Sequence, residues 1–165
     1  MRVWVLAALA AAAVVASSSA QAADQGSLKV AGTKQGQMTG AGVPVLDFNY
    51  SVAVPMDAAS GLPTGRRQQK PLTVTLPWTA AAPQLYTAAV TSETLSSVVF
   101  AENGAGARFT MQLSNARITG FEVLDANGKD PGVDPVVKVT FTFQKIEISD
   151  VAGGKSAADD WEARP

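Results

Sequence analysis

VVKVTFTFQKIEI, residues 136–148, changes the face it presents part-way along. Val137, Val139, Phe141 and Phe143 alternate with Lys138, Thr140 and Thr142, the period-two pattern of a strand with one buried face. Ile146 and Ile148 then take the opposite parity. A one-residue slip in the pleat is what a β-bulge produces, and bulges let a strongly curved sheet turn corners. ARITGFEV, residues 116–123, behaves alike: Ile118 has one parity, Phe121 and Val123 the other, and Gly120 stands at the switch. Two slipping strands favour a small closed or nearly closed β-barrel over a flat sandwich.

The neighbouring segments are also mainly β. VPVLDFNYSVAV, residues 43–54, puts Leu46, Phe48, Tyr50, Val52 and Val54 on one face and Asp47, Asn49 and Ser51 on the other, with Pro44 suited to an edge or a strand end. Leu72, Val74 and Leu76 alternate with threonines, and Phe109, Met111 and Leu113 with Thr110 and Gln112. These parities predict a core containing Phe48, Tyr50, Val74, Phe109, Ile118, Phe141 and Phe143. Residues 79–92 form the exception, a short flanking α-helix of about three turns. Thr79 is its expected cap, Pro83 fits the first turn, and Leu85, Tyr86, Ala89 and Val90 share a face. Residues 32–42, 55–69, 103–106 and 126–135 carry the turn residues that join these elements.

Composition removes several chemistries. The 165 residues include no His and no Cys, which excludes a Ser-His-Asp triad, a thiol nucleophile, a Cys/His zinc site and a disulfide framework. Thirteen Lys and Arg against 14 Asp and Glu give no electrostatic footprint for nucleic acid. No cofactor, metal or catalytic residue is expected, and the protein does not read as an enzyme.

The start of the chain reads as an address. Met1-Arg2 precedes an apolar run over residues 3–16, then Ser17-Ser18-Ser19 and Ala20-Gln21-Ala22, with no acidic residue before Asp24. Those are the three parts of a secretory signal peptide, and the run is shorter than the roughly 20 apolar residues of a membrane span. Residues 1–22 are therefore expected to be a cleavable signal peptide and residues 23–165 one domain, exported to the periplasm or the medium. Without Cys there is no lipid anchor, so no stable membrane attachment follows cleavage.

Three polar clusters invite functional readings. Asp125, Asp130 and Asp134 surround Asn127-Gly128, but a calcium loop needs its Gly two positions later and a bidentate acid at its end, so the segment reads as a hairpin turn. Asp159, Asp160 and Glu162 supply paired acids of the kind glycoside hydrolysis uses, yet they fall in the last seven residues, where chains fray. Trp161 between them reads as a packing anchor. Arg66, Arg67 and Lys70 end the longest loop, as a solvated tip or as a contact with a partner or a neighbouring subunit.

With these pieces placed, the chain resembles the hemolysin-coregulated protein (Hcp) family, the tube subunits of type VI secretion systems. SLKVAGTKQG, VPVLDFNYSV, KPLTVT, APQLYTAAV, FTMQLSNARITGFEV and VTFTFQKIEIS come in family order, followed by Trp161-Glu162. Lys70-Pro71-Leu72 and Phe143-Gln144-Lys145-Ile146-Glu147 carry the resemblance most specifically. It implies a small β-barrel with one flanking helix and six-membered rings that stack into a hollow tube. A contracting sheath pushes such a tube outward, with a spike protein at its tip and effector proteins in its lumen. No catalytic residue belongs to that role. The loop corresponding to residues 55–70 touches the adjacent ring in the family, which makes Arg66, Arg67 and Lys70 candidate inter-subunit residues. Family members ordinarily begin at the first strand, so the signal peptide implies an exported variant.

The alternative is a monomeric exported β-domain that binds a glycan or a partner protein. Both readings share one testable step, cleavage after Ala22. N-terminal sequencing of protein recovered from the periplasm or medium is expected to begin at Ala23; an exported chain that still begins at Met1 contradicts it.

Overall fold

The computed structural model describes residues 26–102, 109–125 and 134–161. The signal-peptide segment, the 103–106 connection, most of the 126–135 turn and Glu162 lie outside the described residues.

Twelve strands and one helix follow one another along them. They are β1 (Gly26–Gly32), β2 (Gly36–Gln37), β3 (Val43–Val45), β4 (Asp47–Asn49), β5 (Val52–Ala53), β6 (Gln68–Gln69) and β7 (Leu72–Pro77), then α1 (Ala82–Val90), then β8 (Leu95–Glu102), β9 (Phe109–Leu124), β10 (Val136–Thr142), β11 (Lys145–Asp150) and β12 (Lys155–Asp160). Ten strands form an antiparallel sheet with the path β2-β1-β8-β9-β10-β7-β4. β3 joins β1, β11 joins β9, and β12 joins β11, while β5 and β6 form a separate pair.

β9 is the spine. One of its edges pairs with β8, and the other pairs with β11 along Phe109 to Ser114 and with β10 along Arg117 to Leu124. The two parity changes read from the sequence both lie on this second edge, and they differ in kind. Thr140 faces Gly120 while Phe141 faces Ile118, so Thr119 is the extra residue of a genuine bulge. The change between Phe143 and Ile146 is instead a corner. Lys145 faces Ser114 and Thr142 faces Arg117, so both strands bend together without losing register. Asn115 takes a left-handed conformation there, φ 49°, which Asn tolerates better than most residues. Its Nδ2 donates to Gln144 Oε1 at 2.8 Å, which ties the bend across the two strands.

The segment 43–54 does not keep one inward face. Val43 and Val45 are buried beside β1, Phe48 is only half-buried beside β7, and Val52 and Val54 are exposed. Leu46 is the reason: between β3 and β4 it bends the chain from one partner strand to the other, and its N–H donates to the Thr75 carbonyl at 2.9 Å. The expected alternation fails because the strand changes partner. The helix is also shorter than residues 79–92. Ala82, Leu85 and Ala88 face the core, whereas Tyr86 and Val90 point outward, against the face expected from the sequence. Thr79 lies two residues before the helical cap at Ala81, and its hydroxyl accepts the Ala81 N–H at 3.4 Å.

The core is where the remaining parities point. Val74, Ile118, Phe141 and Phe143 are buried as expected, and Phe48, Tyr50 and Phe109 pack partly buried against them. The rings of Phe48 and Phe100 meet at 4.5 Å and those of Phe100 and Phe109 at 5.8 Å. β4 and β8 are four places apart in the sheet, about 19 Å if it were flat, so the sheet is rolled around these rings. Gly26 makes room for the Phe100 ring and the Ala101 carbonyl, which a Cβ would meet at 2.6 and 2.5 Å.

The sequence reading missed a buried carboxylate. Glu93 Oε1 accepts the N–H groups of Lys34 and Gln35 at 2.6 and 2.9 Å, and Oε2 accepts the Gln35 side-chain amide at 2.9 Å. The same amide reaches the Gln84 carbonyl at 3.3 Å, so this acid ties the β1–β2 turn to α1. Burial alone would raise its pKa; the Gln35 and Lys34 hydrogen bonds and the Lys34 charge outweigh burial and hold it below the ordinary carboxylate value.

Two predictions follow from this core. Phe141→Ala removes a ring with no exposure and is expected to cost ~3 to 5 kcal/mol, read as a lower denaturant midpoint at unchanged slope. Glu93→Gln is expected to cost about 1 to 3 kcal/mol at neutral pH. Because the folded pKa is depressed, the wild-type advantage is present above the unfolded value and is lost as pH falls through the folded one. Stability curves of the two proteins should therefore converge as pH falls through the depressed folded value; a gap that stays constant with pH contradicts the role given to the charge.

Candidate assembly surface

The long polar loop expected between the second and third strands is a built hairpin. Ser51 accepts the Lys70 N–H at 2.9 Å, β5 pairs with β6, and Pro55 accepts the Thr64 N–H at 3.0 Å. Met56 bridges to Pro63, and the Asp57 N–H donates to Leu62 while its carbonyl accepts from Gly61, whose φ of +67° suits glycine. The Asp57 carboxylate fastens this tip. The Ser60 hydroxyl donates to it at 2.6 Å, as do the Ala59 and Ser60 N–H groups, and these bonds hold its pKa low. The resulting arm displays Val52, Val54, Met56 and Leu62, each about half exposed or more.

At the arm's base, two clusters that lie far apart in the sequence meet. Arg67 Nε donates to Asp159 Oδ2 at 2.5 Å, and its second guanidinium nitrogen reaches Asp159 Oδ1 and, at 3.4 Å, the Asp160 carbonyl. The Gln69 side-chain amide also donates to Asp159, and the Tyr50 hydroxyl donates to Gln69 Oε1. The Arg67 hydrogen bond is the main cause that lowers the Asp159 pKa, against burial and with help from the Arg67 charge and Gln69. Tyr50 is pushed up, by burial first and then by the Asp159 charge.

Of the three candidate cations, Arg67 is thus engaged within the chain. Arg66 and Lys70 are exposed and form no ion pair among the described residues. Asp159 is neutralised by an arginine, which gives it no resemblance to a free acid-base pair. Trp161 is half exposed, and it is its backbone N–H, donating to the Gln144 carbonyl at 3.1 Å, that anchors this end of the chain. The ring itself is not the expected packing anchor. Among the described residues no cluster of three acids suits a metal. A cleft of about 350 Å³ between residues 38–44 and the start of α1 contains no charged side chain, and the Thr39 hydroxyl on its wall is taken by the Val30 N–H.

What the arrangement offers is surface: an apolar arm, a strand edge and the exposed Tyr86, its ring 5.5 Å from the partly buried Phe121. A family model described as "Type VI secretion system effector, Hcp" matches residues 22–149. The chain belongs to the Hcp family. The "Major exported protein" of Pseudomonas aeruginosa is 30% identical over 162 residues, spanning 82% of this chain and 94% of that protein. A solved Hcp protein superposes with a TM-score of 0.77 at 26% identity, covering 86% of this chain and all of that one. The secreted protein Hcp3 of Pseudomonas aeruginosa shares the fold, with a TM-score of 0.69 at 24% identity over 86% of this chain and all of Hcp3. An Hcp protein is structural and non-catalytic, and is itself exported by type VI secretion.

Proposed function

We propose that this chain is an exported Hcp-type ring protein. Its residues 1–22 direct it across a membrane, residues 23–165 fold outside the cytoplasm, and six copies close head to tail. The rings stack through the arm, and spike or effector proteins are the partners. A heterologous contact whose rotation closes satisfies every subunit equally, and the family's rings supply the number. The start of the family match at residue 22 supports the domain boundary. Barrel closure is supported by β3 and β4, which lie on one run of chain and pair with β1 and with β7, the two sides of the rolled sheet.

The arm carries the reading. An apolar hairpin that leaves Val52, Val54, Met56 and Leu62 in solvent is costly in an isolated monomer and useful between copies. For this reason the monomeric binding-domain alternative is not favoured. Light scattering of the mature protein across concentration and salt tests it. A mass of six subunits is expected, with ring-on-ring stacking that weakens with salt where Arg66 and Lys70 carry it and persists where Val54, Met56 and Leu62 do. A concentration-independent monomer overturns the reading.

A further inference from the structure

We propose that Asp159 is a positioning residue for the arm, through which the last strand controls stacking; the assembly half of this inference rests on the arm being the stacking element. β5 and β6 pair only with each other, and the arm they form grows out of β4 and β7 past a single Ser51–Lys70 backbone hydrogen bond. Beside that root, what orients the arm is polar. Asp159 receives Arg67 and Gln69 from the arm's returning strand, and Gln69 receives Tyr50 from its outgoing side. One carboxylate thus gathers both legs of the hairpin. Asp159 is itself well held: it faces Ile146 in the β11–β12 ladder, and Ile146 is buried. The tether therefore runs from the core, through Ile146, to a pair that is partly solvent-exposed. Exposed ion pairs are weak, so the arm is poised to swing at small cost. Fixed, it presents its apolar tip in one orientation; released, it must pay the ordering entropy on contact with the next ring.

Trypsin reads the tether when the two adjacent cuts are resolved by mass, because cutting after Arg67 requires that guanidinium to leave Asp159 for the protease, whereas cutting after the exposed Arg66 does not. Lys70 precedes Pro71, which protects that bond, and Arg117 within β9 reports global unfolding. In the full exported chain, Asp159→Asn is expected to speed cleavage after Arg67 roughly fivefold, leave cleavage after Arg117 unchanged, keep the ring mass, and shorten or abolish stacks seen by electron microscopy. Arg67→Gln, which breaks the pair from the other side, is expected to give the same loss of stacks. Unchanged cleavage after Arg67, or wild-type stacks in both variants, overturns the proposal. Leu62→Asp separates it from the reading beneath: wild-type stacks in that variant remove the arm as stacking element and with it the role of Asp159 in assembly. Lost stacks there with normal stacks in Asp159→Asn overturn the positioning role alone.

Discussion

The shared register of β9 with β10 and β11 holds the rest of the molecule in place. A 16-residue strand extends about 50 Å, longer than a core of this size, so it must bend. A bend in one strand alone would break the ladder beside it. Here Asn115 and Gln144 stand opposite each other and bend together, so every pairing on either side survives. The first half of β9 thereby carries β8 and β11, and the second half carries β10 and lies against α1. The corner also sets the direction of the β11–β12 hairpin, and the Trp161 N–H returns to Gln144 to close it. Asp159 reaches the arm because of that geometry.

The sequence was legible wherever a strand keeps one partner on each edge and one face inward. Leu72, Val74 and Leu76 are buried, as are Met111, Leu113, Val137, Val139 and Phe141. It misled where the chain changes partner. Residues 43–54 alternate without a break, yet Leu46 transfers the strand from β1 to β7 and the last third leaves the sheet for the arm, so Val52 and Val54 stand in solvent. Periodicity reports spacing and cannot report which strand lies alongside. The helix misled for a related reason: Ala82 and Ala88 flank Leu85 on the buried face and let it lie close to the sheet, while Tyr86 and Val90 serve the surface. Of the candidate site, the cations on the long loop and the acids near the end were each visible. Their meeting was not, since 92 residues separate Arg67 from Asp159 and no local pattern records a contact at that range.

Two carboxylates do contrasting work. Glu93 is buried and takes its hydrogen bonds from two backbone N–H groups and one amide, all within a tight turn. Losing them would leave a buried charge without partners, so the turn, Gly32 and the helix are committed together. A Cβ at Gly32 would lie 2.3 Å from Glu93 Oε1, which is why that position has none. Asp159 is more exposed and takes its bonds mainly from side chains on a separate hairpin. Water can replace each of those bonds at little cost. One acid therefore fixes the fold, and the other fixes only a posture, which is what an assembling surface requires.

Edge chemistry explains how such a molecule avoids indiscriminate strand pairing. Among the described residues β12 forms a ladder on one side only, with β11, and the second edge of a strand is a template for any other strand. Lys155, Asp159 and Asp160 put charge on it, and Arg67 lies across its end to the Asp160 carbonyl. Strand addition there would have to displace the arginine and bring a backbone beside two acids. The exposed Val52, Val54, Met56 and Leu62, by contrast, sit on a hairpin whose own backbone bonds are already made to each other. Contacts through those side chains need a shaped apolar partner and not merely a strand. The same arginine that guards the edge thus holds the arm, so what the molecule presents there is side-chain shape and not an open backbone.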